Sequence, residues 1–311
     1  MRCLVTGGSG FIGSHVVTAL RDAGHDAVVL DQQGPADYVI DLCDTPRLTE
    51  VFAGARPEFV FHIAATADAR AALADPVAAV RNNVGGTSSV LEAARRTGVK
   101  RAVLASTCWV AGAMASTVLD ESAAFNCDGA GHIYTTTKIA SELLAHDFRA
   151  LYGLHFTILR YGIPYGPRMW PGLVLRSFLD RARSGQPLTI FGDGSAARRF
   201  VFVDDLARAH VLAMQDVASN QIYNLEGMRN VSVKEMAELV SRLVGEIEIT
   251  YQPEPNRIGE FQHLRKILSK AKAYVDLGWQ PTTDLETGVR RTLEWHQQAF
   301  PQPAVSTGSS A

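Results

Sequence analysis

Val5-Thr6-Gly7-Gly8-Ser9-Gly10-Phe11-Ile12-Gly13 decides how the rest of the chain is read. It follows a short apolar run, Cys3-Leu4-Val5, and opens an apolar-periodic segment through Phe11, Ile12, Val16, Val17 and Leu20. The order is strand, glycine turn, helix. Glycines at 7, 10 and 13 let the backbone turn tightly, approach a ligand and pack the helix against the strand. The shifted spacing at 8, 10 and 13 also fits. A helix that begins after such a turn offers free N–H groups and the positive end of its dipole to a pyrophosphate.

A second apolar run, Ala27-Val28-Val29-Leu30, ends in Asp31, eighteen residues past Gly13. An acidic side chain there accepts hydrogen bonds from both ribose hydroxyls and repels a 2′-phosphate, which favours NAD over NADP. Gly7, Gly10, Phe11, Ile12, Gly13 and Asp31 are therefore candidate cofactor-binding residues.

The chain has 311 residues, enough for one large or two smaller domains, with 47% hydrophobic and 20% charged residues. A net charge of −2 argues against a general nucleic-acid binder, which needs a clustered basic excess. Cys3, Cys43, Cys108 and Cys127 are scattered without metal-ligand spacing, so no metal site is expected and a reducing compartment suits them. No apolar run reaches membrane-spanning length, and the first strand starts at residue 2, so a cytoplasmic protein without a leader is expected.

Strand and helix patterns alternate through the first half: Tyr38-Val39-Ile40, a helix near 45–53, Phe59-Val60-Phe61-His62-Ile63, and one long helix from about Pro76 to Thr97. A strand at Lys100–Ala105, a polar loop over 112–131, a helix near 134–152 and a strand at His155–Arg160 follow. This alternation predicts a doubly wound parallel α/β sheet of the Rossmann type. After Arg160 the pattern breaks into helices near 172–184, 204–217, 232–244, 269–277 and 284–297 with short strands between, which predicts a smaller C-terminal α+β lobe on the substrate side. The expected division is residues 1–160 plus about 200–224 for NAD, about 161–199 and 225–300 for substrate, and a flexible tail at 301–311.

Tyr134-Thr135-Thr136-Thr137-Lys138 puts a phenol and an ammonium four apart, on one face of a helix. A neighbouring ammonium favours the phenolate, so the pair can serve as a base near neutral pH. Upstream, Leu104-Ala105-Ser106-Thr107 ends a strand on hydroxyl residues, where an open parallel sheet borders its ligand crevice. A hydroxyl there can share a proton with the tyrosine and bond the substrate oxygen. Asp204-Asp205 is expected to cap a helix, His62 to serve structure, and His132 to sit in a loop.

Taken together, these residues resemble an extended short-chain dehydrogenase/reductase of the nucleotide-sugar epimerase/dehydratase family, over about residues 2–297. The resemblance rests on Thr6–Gly13, Asp41-Leu42, His62-Ile63-Ala64-Ala65, Asn83-Val84-Gly85-Gly86-Thr87, and Tyr134 with Lys138. It continues through Leu159-Arg160-Tyr161, Tyr165-Gly166-Pro167-Arg168, Gly192-Asp193-Gly194 with Arg198, Val203-Asp204-Asp205-Leu206, Tyr223-Asn224-Leu225 and Leu277-Gly278-Trp279-Gln280-Pro281.

The resemblance implies that Asp41 and Leu42 border the adenine, that Ala64, Ala65 and Asn83 line the cofactor channel, and that Pro164 lies near the nicotinamide. It makes Thr107 the hydroxyl on the sugar 4-oxygen, Tyr134 the base, and Lys138 its partner, which also contacts the nicotinamide ribose. Arg198 and Arg257 match arginines that hold the substrate's diphosphate or nucleoside. It further implies a homodimer built on the helices near 76–97 and 134–152.

Departures from the family pattern bear on the substrate. Ile163 stands where many members have an amide, and Arg199 stands where an acid is usual, so a uronic acid is conceivable. After Thr107, the 4,6-dehydratases of the family carry Asp-Glu; this chain has Cys108-Trp109. Elimination of water lacks its usual acid/base pair, which leaves oxidation and re-reduction at C4. Cys108, as acid or base, keeps a dehydratase as the alternative; as a small buried residue it does no chemistry. Trp109 packs or shapes the sugar pocket, and Met169-Trp170 either cover the pocket or pack. The expected activity is NAD-dependent 4-epimerisation of a nucleotide-diphosphate sugar, with a dehydratase or a non-catalytic NAD-binding relative as the rival readings.

Overall fold

The computed structural model describes residues 1–111, 118–125, 132–253 and 267–301. The expected tail at 302–311 and part of the 112–131 loop lie outside them. Twelve elements carry the frame: β1 (Arg2–Thr6), α1 (Phe11–Asp22), β2 (Asp26–Asp31), β3 (Tyr38–Val39), α2 (Thr45–Ala55), β4 (Phe59–His62), α3 (Gly86–Thr97), β5 (Arg101–Thr107), α4 (Ile133–Tyr152), β6 (His155–Tyr161), α5 (Val203–Leu212) and β7 (Gln221–Leu225).

The seven strands form one sheet in the order β7-β6-β5-β4-β1-β2-β3, and every pairing is parallel. Both faces are covered, so the strands read as continuous apolar runs. Alternate residues serve opposite cores. Cys3, Val5, Phe59, Phe61, Val103 and Ala105 meet Val16, Val17 and Leu20 of α1 and Leu206, Ala207 and Ala209 of α5. Leu4, Val60, Ala102 and Leu104 meet Leu48 and Phe52 of α2 and Val90, Leu91 and Ala94 of α3. Truncating one of these side chains, such as the fully buried Phe61, to alanine would cost about 3–5 kcal/mol.

The winding reverses beside β1: the chain moves outward to β2 and β3, then crosses back to β4 on the other side. A crevice opens beyond the carboxyl ends of the strands at such a point. A third core, with Tyr165, Leu175, Phe178, Ile190, Phe202, Met236 and Val240, gathers the later helices Val174–Arg183 and Val233–Val244 with short paired strands. Phe11, the first residue of α1, belongs to this third core, so the glycine turn is tied to the later helices through a buried ring.

Three local expectations are corrected. The helix expected over 76–97 consists of Pro76–Val80, a π turn at Arg81–Gly85 and α3, with a further short helix at Ala69–Ala74. In the π turn the Gly86 N–H reaches back to Arg81 O, five residues away, which inserts an extra residue and re-aims the side chains. Asp204 and Asp205 lie in the first turn of α5, where their charge suits the dipole, but neither caps it. Asp204 pairs with His15 and Arg291, and Asp205 accepts from Thr282 and Thr283. His132 is no simple loop residue: it is the N-cap of α4, its Nδ1 accepting the Thr135 N–H at 3.2 Å.

Candidate active site

The glycine turn is built as the 7-10-13 spacing requires. Gly7 has φ +71°, and a Cβ on it would lie 2.8 Å from the Ala64 backbone. At Gly13 a Cβ would come within 2.0 Å of Gly7 O, so any side chain would push α1 off β1. Gly10 is the N-cap of α1, and no side chain caps the helix, leaving its first N–H groups to a ligand.

A cleft of about 330 Å³ opens over this turn. Gly7, Gly10, Phe11, Ile12, Gly13, Asp31, Asp41, Leu42, Ala64 and Ala65 all line it, together with Gln32, Ile40, Cys43, Thr66, Asn82 and Trp170. Asp31 accepts the Ser9 N–H at 3.0 Å and the Gln32 N–H at 2.8 Å, which fixes its carboxylate at the end of β2. Asp41 is held below the usual carboxylate range by the Cys43 backbone N–H and by Arg81 of the π turn. The described lining includes Asn82 and not Asn83. Asn83 is buried behind the wall, accepting the Thr66 N–H at 2.7 Å and donating to Thr137 at 2.9 Å, so it braces the Thr66 loop against α4. A flat, glycine-floored cleft with an uncapped helix at one end and a carboxylate at the next strand fits a dinucleotide.

Thr107, Tyr134, Lys138 and Pro164 are not part of that lining. The first three collect one region over, where α4 packs on β5 and on the 3-10 turn Cys108–Val110. Pro164 lies on the strand Ile163–Tyr165, paired with Val201. Lys138 is buried and donates from Nζ to Ala105 O at 2.9 Å; burial pushes its ammonium down to about 8. Tyr134 sits one turn earlier, its ring centroid 6.0 Å from Nζ. Its phenol is raised, by burial first and then by Cys108. Burial therefore works against the lowered phenol expected from the spacing, while Lys138 gives one of its three N–H donors to a carbonyl.

The two hydroxyls that end β5 separate cleanly. Ser106 donates to Glu142 at 2.5 Å, and Glu142 is bound by Arg160 through contacts of 2.7 and 3.0 Å. Both charged side chains are almost fully buried, 1% and 2% exposed. Thr107 stands outside this network, its Oγ1 accepting the Trp109 N–H at 3.4 Å and its side chain hydrogen-bonded to the Cys108 thiol. Glu142 lies four residues past Lys138 on α4 and raises that ammonium against burial, so the helix carries both the pair and its support. The sequence reading missed Glu142, although Arg160 was within a quoted motif. His62 is buried and held neutral, down to about 3, between Thr6 and Thr87 at 2.8 and 3.0 Å.

In the 3-10 turn after β5, burial and then Glu226 push the Cys108 thiol up to about 12. Trp109 follows in the same 3-10 turn. Arg198 lies near enough to Cys108 to favour its thiolate, and donates to Ala197 O at 2.9 Å. Arg257 lies outside the described residues. Arg199 is not an unopposed cation: Glu226, another residue the sequence reading missed, faces it at 3.7 Å. Glu226 is 4% exposed, accepts the Leu268 N–H at 3.1 Å, and is pushed up to about 7 by burial. Among the described residues no group of side chains could hold a metal ion, and no helix is long and apolar enough to cross a membrane.

Comparison with known proteins gives the family and the fold. A family model described as the NAD dependent epimerase/dehydratase family matches residues 3–225. A UDP-glucuronate 4-epimerase of Thermodesulfobacterium geofontis is 30% identical, the match covering 95% of this chain and 96% of that one. A dTDP-glucose 4,6-dehydratase of Neisseria gonorrhoeae is 29% identical over 94% of each chain. The crystal structure of a Thermus thermophilus UDP-glucose 4-epimerase in complex with NAD superimposes with a TM-score of 0.87 at 32% identity, covering 96% of this chain and all of that one.

Proposed function

The chain belongs to the NAD-dependent epimerase/dehydratase family, and from that premise we propose that it is a nucleotide-sugar 4-epimerase working by transient oxidation and re-reduction at C4. The observation that carries this reading is the end of β5. Ser106 is spent on Glu142, Thr107 is left outside that network next to the Tyr134/Lys138 helix, and position 108 holds a thiol where elimination would need a carboxylate.

NAD, when bound, supplies the hydride acceptor and donor, and its oxidised ring brings a positive charge that favours a phenolate. Tyr134 takes the proton of the 4-hydroxyl, and Thr107 bonds the same oxygen. Lys138, fixed on Ala105 O, keeps a positive charge near the phenol and offers N–H donors to a ribose. Return of the proton from Tyr134 completes the cycle. The Cys108 thiol, pushed up to about 12, is a poor base at neutral pH, which supports epimerisation over loss of water.

A panel incubation tests the reading. The purified protein with NAD is mixed with UDP-, dTDP- and GDP-sugars, uronic acids included, and products are followed by NMR and mass spectrometry. The expected result is a C4 stereoisomer of unchanged mass, with UDP-sugars the first class to examine, and Cys108→Ala keeps most of the turnover. A product lighter by one water, abolished in Cys108→Ala, would move the chain to the dehydratases.

We also infer a homodimer. Leu73, Val77 and Val80 on the Ala69–Ala74 and Pro76–Val80 helices are exposed, as are Leu143, Leu151 and Tyr152 on α4, against which those helices pack. Val77 is 77% exposed. An apolar face of three adjoining helices suits a second copy of the same face about a two-fold axis.

A further inference from the structure

We propose that Trp170 is a cofactor-contacting residue, closing the dinucleotide cleft from the side opposite the sheet and retaining NAD between turnovers. The tryptophan is placed by a strained reversal. After the strand Ile163–Tyr165, Gly166 takes φ +147°, where a Cβ would come within 2.5 Å of Val203 Cγ1. The Met169 N–H closes the turn on Gly166 O, and Arg168 sits at φ +68°. Met169 enters the third core at 2% exposure, and Trp170, partly buried, packs against that same core while lining the cofactor cleft.

Three links bind this segment to the glycine turn. His15 of α1 meets Pro167 O at 3.0 Å, Arg168 donates to Ser9 O at 3.0 Å, and the Trp170 ring meets Phe11 edge-on at 5.7 Å between centroids. Ser9 and Phe11 flank Gly10, the N-cap where the pyrophosphate is expected. Phe11 and Trp170 are the two aromatic residues of the described lining, and Phe11 is itself buried. Trp170 is only partly buried, and its indole N–H has no protein acceptor among the described residues. An indole in that position offers a broad apolar face to a ribose and one N–H donor to a phosphate or amide oxygen. A ring on a segment held by these three links does this with little conformational freedom to lose.

The test measures cofactor release and needs no sugar, so its failure is separate from failure of the epimerase reading. Protein stripped of nucleotide is loaded with NADH, chased with excess NAD, and the decay of bound NADH fluorescence is followed. Trp170→Leu is expected to release NADH roughly 10-fold faster or more, the scale set by one lost aromatic contact and its buried area. Trp170→Phe, which keeps a ring, stays within about 3-fold of the parent and lowers tryptophan-sensitised NADH emission. If Trp170→Leu does not fold, Arg168→Ala, which frees the segment from Ser9, is expected to speed release as well. Release at the parental rate from a folded Trp170→Leu protein, or from Arg168→Ala where Trp170→Leu does not fold, overturns the proposal. So does unchanged energy transfer in Trp170→Phe.

Discussion

Ser106 Oγ lies 2.5 Å from Glu142 Oε1, in a buried network completed by Arg160, and the adjacent Thr107 takes no part in it. A strand that alternates its side chains gives the two hydroxyls to opposite purposes. Ser106→Ala removes a buried hydrogen bond to a carboxylate and is expected to cost roughly 1.5–3 kcal/mol of stability, with kcat within about 3-fold of the parent. Thr107→Val keeps the volume and loses the hydroxyl; kcat is expected to fall by roughly 100-fold with an unchanged melting temperature. Melting curves and initial rates on both variants check this opposition. The reverse pattern would transfer the catalytic role to Ser106.

Tyr134→Phe removes the proposed base and leaves the ring. Its turnover is expected to drop by about 1,000-fold. NADH binding should be almost unchanged, because Tyr134 does not line the glycine-floored cleft. Single-turnover rates and an NADH titration on the same preparation separate the two effects. Undiminished turnover would remove the mechanism proposed for this chain.

The glycine turn was legible because its constraint is local. No side chain fits at Gly7 or Gly13, and the strands on either side are continuous apolar runs that show in the bare sequence. What escaped depended on pairs made far along the chain. Arg160 finds Glu142 and Arg199 finds Glu226 only after β6 and β7 join the sheet, so neither carboxylate carried a signal of its own. The π turn escaped for another reason. Asn82, Asn83, Gly85 and Gly86 contribute little apolar period, and an inserted residue leaves no trace in a pattern that was not there. Its effect is to give the cleft Asn82 and to turn Asn83 inward.

Asp31 is held by the Ser9 and Gln32 N–H groups with its carboxylate at the cleft. Replacing it with serine removes the ribose acceptor and the repulsion of a 2′-phosphate. Asp31→Ser is expected to weaken NAD about 10-fold and to raise the NADP-to-NAD affinity ratio by more than that. Parallel titrations with NADH and NADPH give both numbers. An unchanged ratio would mean that Asp31 does not face the ribose.

A charge placed in the exposed apolar face should separate the proposed dimer. Val77→Glu with Leu143→Glu puts carboxylates on the Pro76–Val80 helix and on α4, at positions exposed enough to be harmless in a lone subunit. Light scattering is expected to show the parent at twice the chain mass and the double variant at once. A parent that is already monomeric refutes the surface assignment.

Glu226 makes stability depend on pH with a definite sign. Its carboxyl is raised from 4.5 to about 7 by burial, against the opposing pull of the Leu268 N–H, Arg199 and Lys270. Between those values the folded protein holds a proton that the unfolded chain has released, so stability falls as pH rises through this window. His62 and His210, pushed by burial down to about 3 and 4, act in the opposite sense: they stay neutral when folded and take up protons on unfolding, favouring the fold as pH rises toward 6.5. Both histidines are present in Glu226→Gln, so comparison with the parent isolates the carboxylate. The amide still accepts the Leu268 N–H and never ionises. Urea unfolding at pH 5 and pH 8 is expected to show the parent losing about 2–3 kcal/mol relative to Glu226→Gln between the two, the scale set by two to three units of displaced titration. Equal pH dependence in the two proteins would mean that Glu226 is charged throughout, with Arg199 and Lys270 outweighing its burial.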